Sequence, residues 1–437
     1  MTTKRRHVYE ADVVRVLTFA CVIAVHTISH TNSASDVPAN GFEMLLHFTR
    51  EAFFCLTGFV LLHGSIGRPI LVTAFWRKRI AAVGVPYVAW TLVYTGIQAT
   101  ATFNSWSYQL GRVGTNLLYG TAWYHLYFLL VSMQIYLLFP LIAALVRRTA
   151  GHHAALLGIS GLIQLVILSV QMYNPPRDGV LGWFTAHEDA LLTSYQFYVL
   201  AGAVAAFHLD QLRVFVTAHR RAILAGILVT AVVAEAWYLI AEHQGRIAFG
   251  AASVLQPIML PWSLAAVLGL FILGGIYSER RQAGSRTDRA LTIGSDRSFG
   301  VFLVHPAVLW LLLQGQSHWI PAWHGLTLTV VAYILVVAGS LAVTEVFRRS
   351  PLSLPLTGRH RLSPAVVTAQ PAAHGEEINH VHKHPDTPGA PVQAPHEGPH
   401  DGDRRWAADP LLHRRGVELQ WPDRRDEARL GNLAGDR

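Results

Sequence analysis

The chain is short of charge. Asp, Glu, Lys and Arg make up 14% of its 437 residues, against 52% hydrophobic residues. Soluble domains carry about 25% charged residues, so the deficit excludes an ordinary soluble protein. Cysteine is nearly absent. The only two, Cys21 and Cys55, both fall inside apolar runs and read as buried small hydrophobes, which excludes a disulfide framework. No small-residue cleavage site follows the basic start Lys4-Arg5-Arg6, which fits a retained signal anchor. Nor does any soluble segment carry a basic face interleaved with aromatics, so the net charge of +8 does not point to nucleic acid.

What the chain has instead is repeated apolar runs of about 20 residues, the length that crosses a bilayer as a helix. They fall near 9–29, 45–64, 80–100, 124–146, 154–173, 190–208, 222–241, 257–277, 298–315 and 325–347. The expected fold is all-α, a polytopic helical membrane bundle of about ten transmembrane helices. With the N-terminus inside, the cytoplasmic segments hold Lys4–Arg6, Arg68, Arg77, Lys78, Arg79, Arg147, Arg148, Arg213, Arg220, Arg221, five arginines between Arg280 and Arg297, Arg348 and Arg349. The outer loops hold only Arg112, Arg177 and Arg246. That asymmetry places both termini in the cytoplasm. Trp and Tyr gather near span ends, at Trp76, Trp106, Tyr108, Trp123, Tyr124, Trp183, Trp319 and Trp323, as interfacial anchors do.

From about Ser350 the composition turns to Pro, Gly, His, Arg and Asp with no apolar period. The expected division is a membrane domain over 1–349 and a disordered cytoplasmic tail over 350–437. The tail's His380-Val381-His382-Lys383-His384 lacks a rigid scaffold to fix ligand geometry, so no metal site is expected.

The first run carries two ionisable groups, Arg15 and His26. Such residues in lipid are costly and usually functional. They are eleven residues apart, about 16 Å along a helix, so one lies toward the cytoplasm and the other toward the outer face. The second span runs back and places Arg50 and Glu51 at the depth of His26. A carboxylate beside an imidazole is the arrangement of a general base. The alternative is a structural His at a helix end beside an Arg50–Glu51 pair. Arg15 shares its level with Arg77, Lys78 and Arg79, and converging cations suit phosphate; loop basics also serve as topology signals.

Thr57-Gly58 thins one face of the second span, for close packing or for a slot that admits a thin ligand. His125 opens the fourth span at the outer interface, and His187, Glu188 and Asp189 form a polar outer cluster. His305 lies near mid-depth in the ninth span. Pro306 after it frees a backbone carbonyl one turn earlier, and such broken turns often line cavities.

These residues resemble the acyltransferase-3 family of integral-membrane acyltransferases. Its pattern of an Arg and a His with ten residues between them matches Arg15 and His26. The acidic-x-Phe-Phe-x-x-Ser-Gly-Phe motif is matched by Glu51-Ala52-Phe53-Phe54-Cys55-Leu56-Thr57-Gly58-Phe59, with Glu for Asp and Thr for Ser. Arg77-Lys78-Arg79-Ile80 followed by Val85-Pro86-Tyr87 resembles the family's third span, with Ala82 where many members have a second arginine. His125-Leu126-Tyr127-Phe128-Leu129 and Ser298 to Pro306 resemble two further elements, Phe302 replacing Tyr. The resemblance covers about residues 8 to 347.

The resemblance implies transfer of an acyl group, often acetyl, from acyl-CoA to a hydroxyl of a carbohydrate, glycolipid or related metabolite at the cell membrane, without a metal. Arg15, Arg77 and Arg79 are then the residues that hold the donor's phosphates. His26 is the base, Glu51 its orienting carboxylate, and His305 positions donor or acceptor. Intramembrane Arg, Glu and His also suit the rival reading of a transporter or flippase for a polysaccharide or glycolipid intermediate. The lack of a clear internal repeat weighs against that rival.

Overall fold

The computed structural model describes residues 7–101, 105–314 and 325–362, all helix, turn or loop without a strand among them. Lys4–Arg6, Trp319, Trp323 and the histidine-rich run of the tail lie outside the described residues.

Helix α1 spans Tyr9–Thr31, with Glu10 and Asp12 in its first turn, where acidic side chains meet the positive end of the helix dipole. The chain returns through α2 (Val37–Leu46), capped by the Asp36 carboxylate accepting from Ala39 N at 3.0 Å, and α3 (Phe48–Ser65), the two meeting at His47. Next come α4 (Val72–Ala101), α5 (Trp106–Tyr119), α6 (Tyr127–Arg148) and α7 (His153–Tyr173). A short helix, α8 (Gly179–Ala186), precedes α9 (Gln196–Phe207) and α10 (Leu209–Ala218). The remainder is α11 (Arg220–His243), α12 (Ala248–Ala251), α13 (Met259–Arg280), α14 (Arg286–Gln314), α15 (Gly325–Arg349) and α16 (Ser353–Thr357).

Among the described residues nine helices are long and apolar enough to cross a membrane, or ten if one bent pair forms a single span. The bent pair occupies the region of the expected span 190–208. There α9 is only 12 residues long, about 18 Å, and the chain turns by 92° into α10. The second span is longer than the apolar run suggested, because α2 extends the helical stretch back to Val37.

Four apolar clusters hold the bundle among the described residues, the smallest of them, Ile23, Val301, Leu309 and Val336, joining α1, α14 and α15. Phe54, Ile135, Phe139 and Tyr195 join α3, α6 and the approach to α9; Phe19, Phe53, Tyr94, Leu126 and Phe302 join α1, α3, α4 and α14; Met44, Tyr238, Met259 and Trp262 join α2, α11 and α13. Helix α11 is peripheral: only 11% of its most apolar stretch is buried, and Leu228, Val229, Val232 and Trp237 are exposed, as lipid-facing residues are.

The tightest contact is α3 against α9. A Cβ on Gly58 would lie 2.1 Å from the Val199 carbonyl oxygen, and one on Gly202 would lie 1.8 Å from the Cys55 oxygen. Of the two readings of Thr57-Gly58, close packing is what is found on the Gly58 face; α9 fills it. Gly202→Ala should therefore lower the thermal unfolding midpoint in detergent, with a cost of about 1–3 kcal/mol or more. Gly226→Ala on α11, where a Cβ meets nothing within 4 Å, should leave the midpoint unchanged or raise it. Equal behaviour of the two variants would contradict this packing.

Candidate active site

The two ionisable groups of α1 lie in different surroundings. At its beginning, the Arg15 guanidinium donates from Nη1 to Asp12 Oδ1 at 3.1 Å and to Ser295 Oγ on α14 at 2.9 Å. Ser295 Oγ–H in turn donates to Asp12 Oδ1 at 2.7 Å, and His7 also pairs with Asp12. Asp12 stands one helical turn before Arg15, so α1 supplies the counter-charge itself. Arg79 on α4 is half-buried, while Arg77 and Lys78 are exposed; none of the three forms an ion pair among the described residues. Trp76 Nε1–H, one helical turn before Arg79, donates to the Tyr136 carbonyl on α6 at 3.1 Å, and Tyr136 is within electrostatic reach of both Arg79 and Arg15.

Toward the other end of α1, the rings converge. The His26 ring lies 4.2 Å from Tyr124 and 5.5 Å from His305, centroid to centroid, the latter pair stacked at 26°. His125 meets His305 edge-to-face at 5.6 Å, with Phe302 at 5.1 Å and Tyr94 at 5.3 Å. Three histidines from α1, the segment before α6 and α14 thus share one buried aromatic locality. His30 Nδ1–H donates to the His26 carbonyl at 2.8 Å and packs on Tyr124, extending the ring stack toward the end of α1.

Proline chemistry orients His305. Pro306 has no N–H, so the carbonyl four residues earlier, that of Phe302, loses its helical partner. His305 Nδ1 lies 2.8 Å from that oxygen and donates to it. With Nδ1 carrying the proton, neutral His305 has its lone pair on Nε2, which is buried and accepts no hydrogen bond among the described residues. The neighbouring Leu303 carbonyl accepts from Tyr94 Oη–H at 2.7 Å, so this stretch of α14 is held from α4 as well. The buried His125 ring faces the Leu303 carbonyl, and neither of its nitrogens makes a hydrogen bond of normal geometry among the described residues. A buried imidazole with an unanswered nitrogen, as at His305, suits a polar molecule placed beside it.

Glu51 has a different neighbourhood. Its Oε1 accepts from Arg50 Nε at 3.0 Å and Nη2 at 2.9 Å, while Oε2 is buried without a hydrogen bond among the described residues. Arg50 also donates to Asp189 at 3.1 Å and lies 4.9 Å from the Tyr195 ring centroid. The structure therefore brings His26 and His305 together, and sets Arg15 and Arg79 both within electrostatic reach of Tyr136. It couples Glu51 directly to Arg50.

The family model for an acyltransferase domain, Acyl_transf_3, matches residues 8–345. The chain belongs to the acyltransferase-3 family. The matched region runs from before α1 to within α15 and contains both ends just described. Neither the curated proteins nor the solved structures yielded a match. An acyltransferase of this family needs an acyl donor and a hydroxyl-bearing acceptor, and this one holds its polar groups inside a multi-pass membrane bundle.

Several residues of this acyltransferase's site carry little signal in sequence. Asp12 is visible in principle, at helical i,i+3 spacing from Arg15. Ser295 is not, and Asp189, although part of the expected outer polar cluster, gives no sign of its pairing with Arg50, because each reaches its arginine across a large sequence separation. For His305 a nitrogen-15 spectrum of histidine-labelled protein should show Nδ1 protonated and Nε2 bare. Pro306→Ala restores an N–H that competes for the Phe302 carbonyl and should mix the two tautomers. Wild-type protein with Nε2 protonated would contradict the assigned geometry.

Proposed function

We propose that this acyltransferase moves an acyl group, acetyl in the first instance, from acyl-CoA to a hydroxyl of a carbohydrate, glycolipid or related metabolite. The observation that carries the proposal is that His26, on the same helix α1 as Arg15, stacks on His305 of α14, whose Nε2 is buried and accepts no hydrogen bond among the described residues. The two groups are eleven residues apart on that helix, about 16 Å, a separation suited to a donor with a phosphorylated head and a long thin thioester arm. Family membership supports the acyl chemistry, and the basic-residue asymmetry supports a cytoplasmic Arg15 end with both termini on that side. The cell membrane is the corresponding location. The membrane domain of residues 1–349 carries the activity, and a cytoplasmic tail follows it.

In this reading Arg15, Arg77 and Arg79 hold the donor's phosphates, as guanidinium forks do. The acceptor hydroxyl enters the ring cluster, and His26 takes its proton as the oxygen attacks the thioester carbonyl. The new C–O bond forms as the C–S bond breaks, and the departing CoA thiolate takes a proton to leave as the thiol. His305, its ring fixed by the Phe302 carbonyl, accepts a hydrogen bond at Nε2 and positions the acceptor. Asp189 answers part of the Arg50 charge, leaving the Glu51 carboxylate to offset the positive charge that His26 acquires. Most of the remaining acceleration comes from orientation in a water-poor site.

The test is transfer of radiolabel from acetyl-CoA into acceptor in inside-out vesicles, at matched expression. His26→Ala should insert and fold but lose about 10²–10⁴-fold in transfer. Wild-type turnover by His26→Ala would sink the mechanism. Absence of label with wild type, across several acyl-CoAs and envelope extracts, would favour transport without chemistry.

A further inference from the structure

Beyond Arg349 the chain does not leave the bundle at once. The expected boundary at residue 349 is followed by a strap, residues 350–362, that includes α16 and folds back against α4, α14 and α15. Its anchors are polar. Trp90 Nε1–H donates to the Leu356 carbonyl at 3.1 Å, Leu362 N–H donates to the Arg348 carbonyl at 2.9 Å, and Arg348 also bonds the His360 carbonyl. At its turn stands Gly358, with φ +64; a Cβ there would lie 2.5 Å from the Phe299 ring and 2.9 Å from the Ala82 carbonyl oxygen. Only glycine fits so close an approach in that conformation.

The residue after this turn is Arg359. Ser353 Oγ–H holds its carbonyl at 2.8 Å, which fixes where the side chain departs. Arg359 Nη1 lies 3.9 Å from Asp296, the neighbour of the Ser295 that holds Arg15, and it is close enough to Arg15 for the two cations to repel. Ala82, against which the strap turns, is one helical turn after Arg79 on α4. Three arginines from three separate segments thus surround one locality. Its acidic groups are already engaged: Asp12 by Arg15, Ser295 and His7, and Asp296 by Arg297 and Arg348 as well as Arg359. Arg79 has no ion-pair partner among the described residues, and the Arg359 side chain is 51% exposed. Cations held together against their repulsion with too few carboxylates favour an added polyanion.

We propose that the strap delivers Arg359 as the third arm of a cradle, with Arg15 and Arg79, for the phosphate groups of the acyl donor. The inference rests on the donor reading above and adds a residue outside the matched family region. The C-terminal segment then completes the donor site, from the side of α4 where Ala82 offers no cation.

The test uses the full chain in nanodiscs and measures dissociation constants for CoA and for inorganic pyrophosphate, with thermal midpoints in parallel. Arg359→Gln should weaken both about tenfold, in the range of one charge-assisted hydrogen bond at a partly exposed site. It should also flatten the salt dependence and leave the midpoint unchanged, and Arg359→Lys should recover most of the binding. Arg361→Gln, on the same strap but bonded to the Arg349 carbonyl, should bind as wild type does. Wild-type affinity in Arg359→Gln would overturn the proposal, as would an equal loss in Arg361→Gln, which would assign the effect to strap folding. Arg359-dependent binding of pyrophosphate without binding of CoA would support the cradle and overturn the acyl-CoA reading. Failure of wild type to bind either probe would overturn both.

Discussion

Inside a bilayer no water answers a charge or an orphaned carbonyl, so each must be met by another group of the chain. Three such groups set the shape of this acyltransferase's interior. Arg15 is met by Asp12 on its own helix and by Ser295 of α14, which fastens α1 to α14. The Phe302 carbonyl, released by Pro306, is met by the His305 imidazole. Arg50 is met by Glu51 and Asp189, which draws the segment before α9 onto α3. The first and third answers each tie two elements, and two groups stay unanswered among the described residues: Arg79 forms no ion pair, and the buried Nε2 of His305, beside the His26 ring, accepts no hydrogen bond.

Arg15 lies in the first half of α1 and His26 in the second, so the helix holds these two localities apart. The packing around α1 is dense where it must be rigid. A Cβ on Gly274 of α13 would lie 2.7 Å from Glu10 Cα, so the two backbones nearly touch, and Arg213 of α10 reaches the buried Glu10 carboxylate at 2.8 Å. At the far end, Thr31 and Asn32 both bond Thr329 of α15. With both ends of α1 tied down, the distance between Arg15 and His26 is a property of the fold.

Much of this was legible in the sequence. Apolar runs gave nearly all of the spans, because bilayer thickness imposes one length on them. Arg15, His26 and His305-Pro306 stood out because polar and helix-breaking residues are conspicuous in an apolar background. The span near 190–208 was harder: an apolar run reports hydrophobicity and not direction, and the 92° turn at His208 leaves no apolar signature. Glu51 appeared as a partner for His26 from depth alone, whereas azimuth around the helix and the adjacent Arg50 govern which group its carboxylate meets. Arg359 was hidden in a compositionally polar stretch whose folding depends on Trp90, Phe299 and Arg348, residues that the sequence alone does not connect to it.

The central claim is that α1 spans the donor, phosphates at its Arg15 end and reacting carbon at its His26 end. Its most direct test is an experimental structure of the full chain with an acetyl-CoA analogue whose thioester is replaced by an uncleavable thioether ketone. The account predicts phosphate density against Arg15 and Arg79, and the analogue's carbonyl beside His26 and His305. An analogue lying wholly at one end of α1, or bound away from that helix, would contradict it.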